Sequence, residues 1–293
     1  MIDLHAHICS YEDPELALKE LEYRGNAGIS TFFSTGTPLE YRFMVQLMKK
    51  TKAALRSCFY VTFGIHPWYA DRWNPDDWLE YYKNCPMIGE IGMDNLWCDV
   101  PLNLQQKVLE KQLRTAVEMK KPVVLHTKGC EARIAQIIKD FPYPVLVHWY
   151  SGDSGSLRLF LDLGCFFTLG PDTGLYRTAV QDHILLKNVP SDHLFTETDG
   201  LDAIMWAYET AGKNLTLFTE TDGQETAPRA YESAYETAGE TAAAQNPYPE
   251  FSVIGQTLEA SAECIALRFS LTAEEVTEQI NQNLAGLLSS GIL

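Results

Sequence analysis

Two histidines one residue apart, His5 and His7, close the short run Ile2-Asp3-Leu4-His5-Ala6-His7. On an extended strand, residues i and i+2 face the same side. The pair can therefore aim both imidazoles into one space, as a metal site requires. Read alone, it is equally a pair of ordinary histidines. Repetition tips the balance. His126 closes the apolar run from Pro122, His148 closes the run from Pro144, and His66 follows the β-rich run from Phe59. Glu90 and Asp199 stand at the ends of two further runs. Imidazoles suit zinc, manganese or iron-type ions, and carboxylates suit magnesium and manganese as well. Two such ions about 3.5–4 Å apart need a bridging anion to offset their repulsion. Glu90, central among the ligand-bearing strands, is placed to supply it. Gly89 and Gly92 beside it let backbone and metal approach closely.

The elements that must position these residues alternate almost throughout. Strands are expected at Ile2–His7, Ile29–Ser34, Phe59–Ile65, Met87–Gly92, Pro122–His126, Pro144–His148, Cys165–Leu169 and His193–Thr196. Between them lie helical stretches at Pro14–Arg24, from Pro38 to about Leu55, Pro75–Tyr82, Leu104–Lys120, Ala132–Asp140 and Ser154–Leu163, with a weaker one at Leu175–Leu186. Such alternation implies a parallel sheet covered by helices, and eight units imply a closed (β/α)₈, TIM-like barrel. Barrel ligands gather at the C-terminal strand ends, where the histidines and acids fall. Helices at Phe251–Phe269 and from a Thr272–Glu275 capping box to Leu288 complete the chain, read as a single domain over 1–293.

Within that domain, about 201–247 reads as a partly duplicated insert after strand eight. Leu194–Gly200 (LFTETDG) recurs as Leu217–Gly223, and Ala207–Gly212 (AYETAG) as Ala234–Gly239, at unequal offsets. This excludes a regular solenoid. Asp222 thus duplicates Asp199. Spacing favours Asp199, which lies two βα units past His148, whereas Asp222 needs a third unit or a long loop.

Composition narrows the function classes. The chain is 46% apolar, with no apolar run long enough to span a bilayer and no evident signal peptide. Seven widely spaced cysteines without a C-x-x-C fit reduced thiols and a cytoplasmic setting. Cys9 and Cys130, near the mouth, have no second soft ligand. A net charge of −16 opposes tight nonspecific binding of duplex nucleic acid but not a phosphate drawn to a local metal. Trp68, Trp97, Trp149 and Tyr150 follow strand ends and either rim the mouth, where they could stack single-stranded bases, or pack loops. Trp73, Trp78 and Trp206 read as helix or insert packing, and His183 and His193 as surface residues. Gly-x-Ser-x-Gly and the P-loop pattern are absent.

At Asp3–His7, Gly64–Pro67, Gly89–Asp94, His126-Thr127, His148–Gly152 and Glu197–Asp199 the sequence resembles the TatD family of metal-dependent deoxyribonucleases. The likeness runs from residue 1 to about 200 and resumes in the C-terminal helices. It implies a TIM-like barrel of the metal-dependent hydrolase type, a one- or two-metal centre of zinc, manganese or magnesium, and hydrolysis of phosphodiester bonds by metal-activated water. His5, His7 and Asp199 would hold one ion with Glu90, and His126 and His148 the second, again with Glu90. Asp199 would also orient or deprotonate the water. His66 would bind the substrate phosphate. Lys128 stands where the family usually has arginine, and offers a point charge rather than a planar fork. The implied substrate is DNA, single-stranded rather than duplex, or a small phosphodiester. The enzymatic alternative is an amidohydrolase cleaving a C–N or ester bond on a similar barrel, in which a modified lysine often bridges the metals where this chain has Glu90. A scaffold with a vestigial site is the non-enzymatic alternative.

Overall fold

The computed structural model describes residues 1–211 and 251–289. Eight parallel strands run in the order of the sequence: β1 (Ile2–Ala6), β2 (Ser30–Thr35), β3 (Phe59–Phe63), β4 (Ile88–Asp94), β5 (Val123–Lys128), β6 (Val145–Val147), β7 (Phe166–Leu169) and β8 (Leu194–Thr196). Each lies within two residues of its expected bounds. Closure between β8 and β1 is made by Thr196 Oγ1, which donates to Ile2 O at 2.6 Å, and by the Asp199 N–H, which donates to His5 O at 3.0 Å. One apolar residue from each strand, Leu4, Phe32, Phe63, Ile88, Leu125, Leu146, Phe167 and Phe195, enters a single buried cluster. The polar side chains of the site are therefore carried on a dry, rigid frame.

Local sequence explains the helices. Asp13 caps α1 (Pro14–Asn26) by accepting from the Glu15 and Leu16 N–H groups, with proline at the first position. Thr37 does the same for α2 (Pro38–Lys50). α2 stops short of the expected Leu55 because Thr51 turns extended, its hydroxyl donating to Leu47 O. The expected Pro75–Tyr82 helix is a 3-10 turn, Pro75–Trp78, running into α3 (Leu79–Asn84). α4 (Leu102–Met119), α5 (Glu131–Ile138) and α6 (Ser154–Asp162) match expectation closely.

The expected Leu175–Leu186 helix is broken. It becomes the 3-10 turns Pro171–Tyr176 and Val180–Asp182, followed by α7 (Ile184–Asn188). His183, expected at the surface, is buried. Its ring nitrogen accepts the Leu186 N–H at 3.4 Å to cap α7, and the ring packs edge-on against Tyr176. α8 (Leu201–Thr210) opens the stretch expected as an insert, and residues 212–250 of that stretch, with the second heptapeptide and Asp222, lie outside the described residues. α9 (Ser252–Phe269) and α10 (Ala273–Leu288) follow, the latter with the expected reciprocal Thr272–Glu275 capping box. No helix among the described residues is long and apolar enough to cross a membrane.

Candidate metal centre

All the strand-end residues singled out above meet at the C-terminal face of the barrel. His5 and Glu90 are buried on β1 and β4, and His7 is half-exposed just past β1. His126 lies on β5, while His66, His148 and Asp199 follow β3, β6 and β8. Glycines let these strands close in. A Cβ at Gly89 would lie 2.6 Å from Val124 Cβ, and one at Gly92 would collide with the His126 carbonyl. They permit the close backbone approach of β4 and β5. Gly200 has φ 97°, and a Cβ there would lie 2.7 Å from His7 O, so glycine seats the β8–α8 turn on β1.

Glu90 divides the site by its two oxygens. Oε2 lies 3.5 Å from both His5 Nε2 and His7 Nε2. Oε1 lies 2.7 Å from His126 Nδ1, 2.6 Å from His148 Nε2 and 3.6 Å from His66 Nε2. Asp199 Oδ1 lies on the Oε2 side, 3.3 Å from His5 Nε2 and 3.6 Å from His7 Nε2. Three sets offer atoms within one coordination sphere: His5, His7 and Asp199; His5, Glu90 and His148; and His66, Glu90 and His126. His66, expected in the strand-end cluster and at the substrate phosphate, also reaches the donor shell, its Nε2 3.4 Å from His126 Nδ1. Among the described residues, His5 Nε2 and Asp199 Oδ1 are buried without a hydrogen-bond partner. Orphaned nitrogen and oxygen donors around a buried carboxylate fit divalent cations.

Electrostatics agree. Burial alone would lower His5, His7 and His126. The facing carboxylates outweigh it and raise all three, through Asp199 and Glu90 at His5, chiefly Glu90 at His7, and Asp94 and Glu90 at His126. Burial would raise Glu90, but the facing imidazoles of His148, His66 and His126 hold it well below the usual carboxylate range. Asp199 is held down likewise against its burial, first by the facing His5 imidazole 3.3 Å away. His66, where burial dominates, falls to about 4 and is neutral near pH 7.

Two acids that the sequence reading did not assign complete the site. Asp94, fully buried, accepts at Oδ2 from His126 Nε2 at 2.9 Å and Trp68 Nε1 at 2.8 Å. Its Oδ1 accepts from the Leu96 and Trp97 N–H groups at 2.8 and 2.9 Å. It fixes the His126 proton on Nε2 and leaves Nδ1 to the centre, the outer-shell arrangement common at metal histidines. The signal was present: Asp94 is i+4 from Glu90 on a strand, and so shares its face. Glu197 is wholly buried, has no hydrogen-bond partner on either oxygen among the described residues, and lies 3.8 Å from His148 Nδ1. Below the turn, Asp3 accepts from Thr198 N at 2.9 Å, Thr198 Oγ1 at 2.6 Å and Arg24 Nη1 at 2.6 Å, while Arg24 Nε donates to Glu20 at 2.7 Å. This buried lattice anchors Asp199, whose φ of 55° is one aspartate tolerates.

Lys128 is buried and turned to protein groups. Its Nζ donates to Trp149 O at 2.5 Å and Ser151 Oγ at 3.3 Å, and burial lowers its pKa. Tyr150 is buried, its hydroxyl donating to Asp153 O at 2.6 Å, so it packs a loop instead of rimming the mouth. Trp73 and Trp78 pack on each other as expected. All seven cysteines are thiols, outside any disulfide.

A protein-family model described as TatD related DNase matches residues 2–289. A 3'-5' ssDNA/RNA exonuclease TatD of Rahnella sp. (strain Y9602) is 28% identical over 208 residues, covering 68% of this chain and 78% of the relative. The uncharacterized metal-dependent hydrolase YjjV of Escherichia coli (strain K12) is 27% identical over 214 residues, covering 69% and 79%. The crystal structure of the TatD homologue YjjV from E. coli superposes with a TM-score of 0.68 at 21% identity, over 98% of this chain and 97% of that one. A TatD family hydrolase from Entamoeba histolytica follows at 0.66 and 16%, over 98% and 97%. These structural likenesses show the barrel fold.

Proposed function

Because this chain belongs to the TatD related DNase family, we propose that it is a metal-dependent hydrolase that cleaves phosphodiester bonds in single-stranded nucleic acid. The observation that carries the reading is the division of Glu90, with one oxygen facing His5 and His7 beside Asp199, and the other facing His126, His148 and His66. His5, His7 and Asp199 would hold one cation with Glu90, and His126 and His148 a second. The histidine-rich donor set favours zinc or manganese over magnesium. Bound cations supply charge to the phosphoryl oxygens and acidify a water.

The chain's residues do the rest. Asp199 Oδ1, buried and without a hydrogen-bond partner, orients the attacking water and takes its proton. Neutral His66 donates a hydrogen bond to the phosphate without adding charge. Lys128 holds the Trp149 backbone at the mouth and keeps an ammonium near the acids of the site. Glu90 stands where the amidohydrolase alternative has a modified lysine, and its unmodified carboxylate would be the acid the two cation sites share. The relative named as a ssDNA/RNA exonuclease supports the choice of a single-stranded substrate. Thiols rather than disulfides fit a cytoplasmic setting. The test presents metal-loaded protein with a single-stranded oligonucleotide, a generic phosphodiester and a small amide, alongside metal analysis of protein purified without chelators. Turnover of the oligonucleotide is expected, and turnover of only the amide would overturn the reading.

A further inference from the structure

Four side chains at the mouth are not accounted for by metal binding. Trp97 follows β4, Trp149 follows β6, Trp206 lies on α8, and Lys128 ends β5. The sequence reading placed Trp206 with helix or insert packing, yet the fold carries it to the mouth. Its ring meets Trp149 edge-on at 5.6 Å between centroids, and Trp97 edge-on at 6.1 Å. The Lys128 ammonium lies 5.3 Å from the Trp149 ring centre and 5.8 Å from that of Trp97. Trp149 and Trp206 are braced from behind by the cluster containing Leu201 and Ile204. The outermost ring, Trp97, meets Trp206 along one edge and is 54% exposed, next to Leu96 at 60%.

We infer that Trp97, backed by Trp206 and Trp149 and charged from beneath by Lys128, is a stacking site for a nucleobase of the substrate strand. The inference rests on the phosphodiesterase reading above and extends it from the phosphate to the base.

Three observations support it. First, the position of Trp97 is built. Asp94 accepts its backbone N–H and, through the same carboxylate, the His126 Nε2 proton. One buried side chain thus sets both a cation ligand and the exposed ring. Second, a large ring left in water at a fixed place loses burial that folding normally gains, and such exposure marks interaction surfaces. Third, the chemistry suits a base in an anionic strand. Every base has a π-face, and an indole offers a flat sequence-tolerant platform. The ammonium adds attraction for the adjoining phosphate, on a chain whose net charge of −16 otherwise repels it.

The experiment compares metal-loaded wild type, Trp97→Ala, Trp97→Phe and Trp206→Ala on two substrates. One is a short single-stranded oligodeoxynucleotide, and the other is the same strand made abasic at the nucleotide being cleaved. Stacking is worth on the order of tenfold or more per base. The preference of wild type for the intact strand, as a ratio of kcat/KM values, should fall about tenfold in Trp97→Ala, less in Trp206→Ala, and be largely kept in Trp97→Phe. In parallel, the intact strand titrated into metal-free protein should quench tryptophan fluorescence in wild type more than in Trp97→Ala. A merely structural role would lower both substrates together, leave the ratio unchanged and overturn the inference. If wild type cleaves neither strand, the phosphodiesterase reading falls. The fluorescence titration then judges the stacking site by itself, with quenching sustaining it and no quenching removing it.

Discussion

Asp94 offers a perturbation whose outcome runs against chemical conservatism. Its carboxylate accepts four hydrogen bonds, from His126 Nε2, Trp68 Nε1 and the Leu96 and Trp97 N–H groups. Asn is the same shape but places an NH₂ group at one of the two oxygens. If Oδ1 stays on the backbone donors, the amide nitrogen faces His126 and Trp68. Indole N–H only donates, so Trp68 meets a donor and loses its partner. His126 can accept from the amide only by moving its proton to Nδ1, the atom that lies 2.7 Å from Glu90 and would otherwise hold a cation. The opposite flip sets the amide against two backbone donors and is worse. Asp94→Asn should therefore weaken cation binding about 10–100-fold, as outer-shell changes do, or about 1.4–2.7 kcal/mol. Asp94→Ala, which imposes no proton on Nδ1, should weaken it less. Isothermal titration with zinc or manganese gives the affinities, and nitrogen NMR of His126 gives the tautomer. Wild-type affinity and an unchanged Nε2–H tautomer in Asp94→Asn would refute the assignment.

Asp199→Asn should abolish turnover and weaken cation binding while Asp222→Asn leaves both intact, as steady-state assays and metal analysis of the two variants would establish; loss only in Asp222→Asn would transfer the role to the second heptapeptide. Arg24→Ala strands the buried Asp3 and Glu20 carboxylates, and breaking a buried pair costs about 3–5 kcal/mol, so the midpoint of urea unfolding should fall accordingly. In metal-free protein, the depressed Glu90, Asp94 and Asp199 stabilise above the ordinary carboxylate value near 4, and that stability is lost as pH falls through their lowered values. The raised His5, His7 and His126 stabilise below about 6.5 and lose that contribution as pH rises through their higher values. His66, held to about 4, opposes this by resisting protonation. Thermal unfolding of the metal-free protein should thus peak between about pH 4 and 6.5, and added cation, which needs neutral imidazoles, should move the peak upward.

Local rules made much of this protein legible before any coordinates. Short apolar and β-rich runs gave eight strands, Asp13-Pro14, Pro38 and the Thr272–Glu275 box gave helix starts, and the fall of histidines and acids at strand ends gave the candidate site. Each signal is short-range, because alternation, capping and strand-end position are set by neighbours in the chain. Where a local pattern met a tertiary demand, it failed. The Leu175–Leu186 segment has helical spacing, but His183 turns inward to cap a shorter helix, and Asp172 bonds the Trp149 indole at 3.0 Å.

What only the folded chain decided is pairing between distant residues. Glu90 was already expected between two histidine sets, but which of its oxygens faces which imidazole, and that His66 would reach the donor shell, came only with the fold. Nor could spacing say that Gly92 would serve the His126 carbonyl, or that Trp206 would cross the mouth to Trp97. The sequence determined which residues stand at the ends of the staves, since strand phase is local. Barrel closure decided which of those ends meet, since the curvature that brings β8 against β1 is a property of all eight strands together.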